Sequence, residues 1–407
     1  MHFDLIVIGM GLSGLMAAKT ASESGSKVLI LGKGMGALCL FSNTIDLLET
    51  LPKGMKLDEG LSQWIKDHPQ HPYSKVGAKI VEEALTSFTS LFPLPYSFVS
   101  AGDGNSLLPT GAGTLRPTYL IPTTMVAGAS VREQGGLIVG FKGFKDFYPD
   151  YAATLLGCRS LTLPPFRTFH EEITAAGLAR SMEKESFREE IGREIRREMG
   201  NETRVGFPAV LGVRDPWGVK KGLEETIGAE VFEIPILPPS IPGMRIFNRF
   251  KEWLVQRGVT VLLGHSVSKA ILRGRRCEGI RVSNPPLSSF YSADRYILST
   301  GRFVGGGLVA NEEKIYEPIF DLPVSQPRSR EEWFRKSFFS NLSHPVHQAG
   351  ILTDSSLRPV DDKGERVLEN VWIAGSILAG HDSTNEKSRE GVEIATGYMA
   401  AKCAMKK

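Results

Sequence analysis

Cysteine is scarce in this chain. Cys39, Cys158, Cys277 and Cys403 are scattered over 407 residues, with no Cys-x-x-Cys pair. Iron–sulfur and structural zinc sites draw their thiolates from closely spaced motifs, so neither is expected within the chain. Isolated cysteines of this kind read as small buried apolar residues. Long apolar runs are also missing: none approaches the roughly 20 residues that a membrane-crossing helix needs, so no direct membrane span is expected. No basic leader with a cleavage site precedes the first strand, so no signal peptide is expected. Excess charge is missing too. Lys and Arg number 48 against 45 Asp and Glu, a net +3, which gives no electrostatic case for nucleic acid. His68 and His71 are each followed by proline, which keeps them off one helix face, so they read as solvated loop histidines and no metal is expected. What is present is 42% hydrophobic and 23% charged residues, the balance of a soluble globular protein long enough for one large or two moderate domains.

The most informative stretch is the first, Asp4-Leu5-Ile6-Val7-Ile8-Gly9-Met10-Gly11-Leu12-Ser13-Gly14. An unbroken apolar strand runs into Gly-x-Gly-x-x-Gly and then into a helix-like segment. Gly9 permits the tight turn, Gly11 lets the backbone approach a pyrophosphate, and Gly14 lets helix pack on strand. The helix N-terminus offers free N–H groups and a positive dipole end to phosphate. The same pattern also fits an ordinary glycine-rich turn between strand and helix. Lys27 to Gly32 reads as a second buried strand, completing a βαβ unit with parallel strands. Where the usual fingerprint ends that strand in an acid that binds the adenosine ribose, this sequence has Gly32 followed by Lys33. The departure favours a shorter flavin nucleotide over a tightly held dinucleotide. Ser42, Asn43 and Thr44 are small hydrogen-bonding residues suited to face a flavin ring, or to cap a helix.

Farther along, 76–92 is helical by apolar period, and a glycine- and proline-rich boundary falls at 100–113. Shorter strands such as Leu137 to Phe141 follow, then a charged amphipathic helical stretch over 175–199. A stiff loop from Leu237 to Arg245 is expected to lead into a helix over 246–257, placing Arg245 to grip phosphate or carboxylate, or simply at the surface. A strand and turn around Gly258 to Val267, a hairpin over 270–282, a strand ending Ser299-Thr300-Gly301, another ending Ala374-Gly375-Ser376, and a last helix over 391–404 complete the chain. The expected fold class is α/β: a Rossmann-like FAD/NAD(P)-binding domain with an inserted α+β cap domain. Its expected divisions are 1–112 (flavin-binding, first part), 113–245 (cap and substrate domain), 246–303 (flavin-binding, second part), 304–350 (cap return segment) and 351–407 (flavin-binding, C-terminal part).

That order of signals resembles two-domain flavoproteins related to glutathione reductase. A closer resemblance is to the B subunits of anaerobic glycerol-3-phosphate dehydrogenase. It is carried by Ala37-Leu38 with Ser42 to Leu48, by His71-Pro72-Tyr73-Ser74, by Gly113-Thr114-Leu115-Arg116, and by Leu237-Pro238-Pro239-Ser240 with Gly243, Arg245 and Asn248. Farther on it is carried by Gly305 to Ala310 with Glu317-Pro318-Ile319, by Thr353-Asp354 with Leu357-Arg358-Pro359, and by Ala374-Gly375-Ser376 with Leu378 and Gly380. The region 150–230 contributes little to it. One departure is that Gly391 alone remains of the glycine cluster expected before the last helix.

The resemblance implies a flavoprotein subunit that works with a related flavoprotein A subunit on a membrane-bound iron–sulfur C subunit. Its location would be cytoplasmic, peripheral on the inner face of the membrane through those partners. The complex would oxidise sn-glycerol 3-phosphate, a small phosphorylated polyol, to dihydroxyacetone phosphate and pass electrons to quinone in fumarate or nitrate respiration. FMN is the expected cofactor, with FAD possible. Such an oxidation needs a hydride acceptor, which is flavin N5, a base for the hydroxyl proton, and cations for the phosphate. The expected catalytic residues are His381, Arg116 and Arg245; Arg116, Arg245, Asn248 and Arg358 are expected to bind substrate. The cofactor positions are Gly9, Gly11, Gly14, Lys33, Ser42, Asn43, Thr44, Val267, Gly301, Gly375 and Ser376. Two other readings stay open: one in which this chain relays electrons while the A subunit transfers the hydride, and one in which it is a flavin-fold scaffold without cofactor.

Overall fold

The first strand, β1 (His2–Ile8), is apolar along nearly its whole length because both of its faces are covered. In the computed structural model, which describes residues 1–51, 56–100, 102, 104–164, 173–284, 287–339 and 342–406, the chain divides into two units. Residues 101 and 103, inside the expected boundary at 100–113, lie outside the described residues. The first unit comprises Met1–Ala37, Asp46–Phe88 and Arg249–Lys407; the second, inserted in sequence, comprises Leu38–Ile45 and Thr89–Asn248.

In the first unit β1 turns into α1 (Leu12–Ser22) and returns as β2 (Val28–Gly32), which pairs parallel to β1 with Ile8 opposite Leu31. Thr260–Leu263 extends the sheet beyond β2, again parallel. On the other side of β1 lies the strand Leu287–Leu298. Its first half pairs antiparallel in a hairpin layer with Arg276–Asn284. Its second half runs parallel to β1 and, on its far side, to Val371–Ile373. One long strand thus joins the Rossmann-like sheet to a three-stranded meander. The core of this face includes Phe3, Ile6, Ile8, Leu29, Leu31, Tyr296 and Ile373.

The segment 304–350 differs from its expected place. Leu308, Ile315, Phe320, Trp333 and Val346 bury themselves in that same core, so the segment belongs to the first unit rather than returning to the second. The inserted unit also takes in Leu38–Ile45, and its main part begins earlier than 113, at Thr89.

α1 is buried nearly all round, from Leu12 through Ala21. It lies against the last helix, Arg389–Met405. The contact is close enough that a Cβ on Gly397 would run into the backbone of Ser13.

The inserted unit has its own core, including Leu137, Ile138, Phe207 and Phe232. Its sheet is four parallel strands in the order Glu230–Ile234, Arg204–Pro208, Leu137–Phe141, Arg159–Leu163. Two short antiparallel pairs, Phe98–Ser100 with Leu120–Pro122 and Ser106–Pro109 with Leu115–Thr118, form separate two-stranded sheets. The charged stretch forms two helices, Ala175–Met182 and Glu185–Glu198, the second burying Phe187, Ile191 and Ile195 and leaving its charges outside.

Helix propensity alone says that Gly397→Ala stabilises the last helix by about 1 kcal/mol. The contact with Ser13 reverses that sign, because overpacking costs about 1–3 kcal/mol. Thermal or urea unfolding of the variant is expected to show a net loss of stability.

Candidate functional site

Five parallel strands reach a glycine within three residues of their carboxyl ends. β1 leads to Gly9 and β2 ends at Gly32; the other three exits are Gly264, Gly301 and Gly375. Four of these, at φ +114, +83, +70 and +84, hold a conformation that L side chains rarely adopt. Ligands of open parallel sheets bind outside this edge.

The three motif glycines have separate reasons. A Cβ on Gly9 would meet the Ser299 carbonyl, and one on Gly14 would meet the Gly9 carbonyl. Both glycines are required by packing. Gly11 is different: nothing lies within 4 Å of where its Cβ would stand. It is the N-cap of α1, with extended backbone at φ −72° and no side-chain cap, so the first N–H groups of the helix are left for an anion. Thr300 Oγ1, on the neighbouring strand exit, is buried with no hydrogen-bond partner. An open cradle, uncapped N–H groups and an orphaned hydroxyl fit a phosphate-bearing cofactor.

The adenosine side is built differently. A Cβ on Gly32 would stand 3.0 Å from both Met10 N and Met10 Cγ. The buried Met10 side chain thus occupies space that a carboxylate at the end of β2 would need. Lys33 is exposed, and its Nζ lies 3.5 Å from the Cβ position of Gly306. Gly375 packs on Ser13, and its N–H donates to Thr396 Oγ1 at 2.8 Å. Half-buried Ser376 stands beside Gly301. Val267 pairs with Val282 in the hairpin layer and packs on the core.

Sequence reading missed a buried polar cluster in this unit. His71 is 2% exposed and is the N-cap of Pro72–Val76, its Nδ1 accepting from Tyr73 N–H at 3.1 Å. This corrects the solvated-loop reading. His71 Nε2 therefore donates to Glu386 Oε2 at 3.1 Å. Ser388 Oγ donates to the same oxygen at 3.0 Å and accepts from His381 Nε2 at 3.0 Å. That network assigns both imidazoles as neutral Nε2–H tautomers and leaves His381 Nδ1 buried without a partner. Burial, then Arg302, His71 and Arg389, holds His381 well below the ordinary 6.5. Burial lowers His71 as well, despite Glu386.

Arg302 donates to the carbonyls of His381, Leu378 and His347. Burial pulls its guanidinium down to about 10 against Asp382 and Glu386. His71, His381 and Glu386 each bring a ligand atom within 4.8 Å of the others. The hydrogen bonds already made join these side chains in one chain, with Arg302 adding positive charge beside it. A Cβ on Gly391 would strike Tyr73 Oη and Leu47, so that glycine serves packing.

In the inserted unit, Arg245 is corrected. The helix begins at Ile241, with Pro242 in its first turn, where proline is tolerated. Arg245 is therefore a buried helical residue rather than a loop residue. Its Nε donates to the Gly212 carbonyl at 2.8 Å, and its two terminal nitrogens hold Glu233 at 2.7 and 2.8 Å. Burial pushes the Glu233 carboxyl up, but Arg245, Thr124 and the Leu211 N–H more than offset it and hold it below the ordinary value. The guanidinium has no fork left for phosphate. Asn43 is corrected too: its amide donates to the carbonyls of Leu38 and Phe41 and to Ser240 Oγ, fixing the 38–45 segment. Asn248 is half-buried on the same helix as Arg245.

Arg116, Ser42, Thr44, Thr110, Thr118 and Asp146 line a cavity of about 400 Å³ in this unit, with Phe147, Tyr148 and Tyr151 on its apolar side. In the first unit, Arg358 packs its guanidinium 5.1 Å over the Trp372 ring.

Sheet and turn together are those of an FAD-binding α/β protein. The FAD binding domain model matches residues 4–392. The B subunit of a probable anaerobic glycerol-3-phosphate dehydrogenase from Halobacterium salinarum is 33% identical, over 98% of this chain and 97% of that protein. The B subunit of the anaerobic glycerol-3-phosphate dehydrogenase of Vibrio cholerae is 31% identical, over 98% and 96%. A solved 3-ketosteroid delta1-dehydrogenase from Sterolibacterium denitrificans is similar at a TM-score of 0.48 and 10% identity, over 100% of both chains. The chain belongs to the FAD-binding family and, within it, to the family of anaerobic glycerol-3-phosphate dehydrogenase B subunits. It is a flavin oxidoreductase subunit, and among the described residues no helix is long and apolar enough to cross a membrane.

The buried neutral histidines make a signed prediction. An unfolded histidine takes up its proton near 6.5, whereas His381 and His71 resist it in the fold. The unfolded state therefore binds more protons below that pH, and stability falls as pH falls through and below about 6.5. Thermal melts at stepped pH are expected to show this slope in the wild type and a shallower one in His381→Asn.

Proposed function

We propose that this chain is the flavin-bearing B subunit of an anaerobic glycerol-3-phosphate dehydrogenase, working with a related flavoprotein subunit and a membrane-bound iron–sulfur subunit. The reading is that the complex oxidises glycerol 3-phosphate to dihydroxyacetone phosphate and delivers the electrons to quinone. The observation that carries it is the glycine-ended parallel edge with the open cradle at Gly11, in a chain aligned end to end with B subunits. Bound flavin supplies the hydride or electron acceptor. Gly11 and the first N–H groups of α1 hold its phosphate, and Thr300, Gly301, Gly375 and Ser376 line the adjoining edge. FAD takes precedence over the FMN suggested by Gly32, because the family model is an FAD-binding one; Met10 and Gly32 then leave the adenosine ribose without its usual carboxylate. In the inserted unit Arg116 binds the substrate phosphate, and the hydroxyls of Ser42, Thr44 and Thr118 face the polyol. His381, the expected base, keeps a bare Nδ1, while burial and then Arg302 hold its affinity for a proton low. The association with the membrane on its cytoplasmic side is through the partner subunits.

A second reading is favoured by one observation. His381 is 0% exposed and Arg245 is consumed by Glu233, so two of the three expected catalytic side chains are engaged inside the protein. In this reading the subunit relays electrons and its partner transfers the hydride. Anaerobic addition of glycerol 3-phosphate decides between them. Bleaching of flavin in the isolated chain, lost in Arg116→Met, supports catalysis here. Bleaching only in the assembled complex supports the relay, and no bleaching in either rejects the substrate.

A further inference from the structure

The parallel sheet of the inserted unit starts from an inner strand. Leu137–Phe141 is followed by Arg159–Leu163 on one side and then by Arg204–Pro208 on the other, with Glu230–Ile234 beyond. The direction of winding therefore reverses beside Leu137–Phe141. Ligands of such sheets bind outside the carboxyl ends of the strands, near that reversal. The cavity of about 400 Å³ lies at this edge. The loop that leaves Leu137–Phe141 brings Asp146, Phe147 and Tyr148 to its wall, and the exit of Glu230–Ile234 brings Pro235, Ile236 and Leu237. Leu237 N–H donates to the Asp146 carbonyl at 3.0 Å, which ties the two exits together. The turn at Gly111 closes against them, since a Cβ there would stand 2.6 Å from the Pro235 carbonyl oxygen.

The polar part of the wall follows from strand geometry. Ser106–Pro109 pairs antiparallel with Leu115–Thr118, with Leu108 opposite Arg116. Arg116 and Thr118 are two residues apart on one strand and so share a face; both line the cavity. The hydroxyls of Ser42 and Thr44, also on the wall, bond each other at 3.1 Å. Among the described lining residues Arg116 and Asp146 are the only charged side chains, one of each sign. That pair suits a ligand with an anionic end and a hydroxylated end. A guanidinium grips phosphate through paired N–H donors. A carboxylate only accepts, through two oxygens, so neighbouring hydroxyls are its natural donors, as ribose hydroxyls are for the acid of the usual dinucleotide turn.

We infer that Asp146 is the side chain that selects the vicinal diol of the substrate, accepting from both hydroxyls while Arg116 holds the phosphate. The inference rests on the substrate reading given above. The test is equilibrium dialysis of labelled ligands against the full chain, with its flavin reduced by dithionite so that no hydride leaves the substrate. The probes are glycerol 3-phosphate, 3-hydroxypropyl phosphate, which lacks only the middle hydroxyl, and inorganic phosphate. The wild type is expected to bind glycerol 3-phosphate about tenfold more tightly than 3-hydroxypropyl phosphate, the effect of one hydrogen bond to a charged acceptor. In Asp146→Ala that preference is expected to vanish, with an unchanged thermal melt and with inorganic phosphate bound at least as well as by the wild type. A preference that survives in folded Asp146→Ala, or equal affinity of the wild type for the two esters, overturns the assignment and leaves the substrate reading standing. Loss of inorganic phosphate together with both esters in the variant also overturns it, because Asp146 would then shape the cavity rather than select the diol. Failure of the wild type to bind glycerol 3-phosphate at all overturns both.

Discussion

The close approach of β1, α1 and the strand beside β1 at Gly9 is the constraint on which the first unit rests. Ser299 Oγ donates to the Ile8 carbonyl at 3.0 Å and reaches the Gly9 carbonyl at 3.3 Å, while Gly14 lies against that carbonyl from the helix side. No side chain fits between them. Because those backbones touch, α1 points its uncapped N-terminus along the carboxyl edge of the sheet. Gly397 then lets the last helix close on α1, and Gly375 lets the Val371–Ile373 exit pass Ser13. The cradle is a product of packing before it is a binding site.

The charged groups of the two units are treated in opposite ways. In the inserted unit the buried Arg245–Glu233 pair is bidentate and its remaining polar atoms are matched by Gly212, Thr124 and Leu211. A pair satisfied that fully fixes architecture, and removing one partner would strand the other in a dry interior. In the first unit the His71–Glu386–Ser388–His381 chain ends on a bare nitrogen. A network with one acceptor left open has room for one more donor, while burial and the nearby Arg302 keep its imidazole neutral.

Much of the fold was legible because its signals are local. The apolar β1, the glycine turn, β2 and the glycine exits of the later strands follow from strand pattern and turn chemistry within a few residues. The site was legible only where its residues were tied to those turns. Arg245 was misplaced because Leu237 to Arg245 carries prolines that read as loop, while Pro242 sits where a helix accepts it. Asn43 has the composition of a ligand-facing residue and spends its amide on its own backbone. His71 and His381 are far apart in sequence and meet only through tertiary folding; their flanking prolines and charges gave no local sign of burial. The conflict at Gly32 was visible in the sequence, but its physical reason, Met10 filling the same space, needed coordinates.

The central claim is that Gly11 faces a flavin phosphate. Its backbone is extended and nothing lies within 4 Å of its Cβ position, so the Cβ of Gly11→Val meets nothing of the protein, and the variant's melt reports how its methyl groups are accommodated. The measurement is flavin absorbance of the purified variant alongside its thermal melt. The account predicts an unchanged fold with the flavin lost. Full retention of flavin in a folded Gly11→Val protein would contradict it.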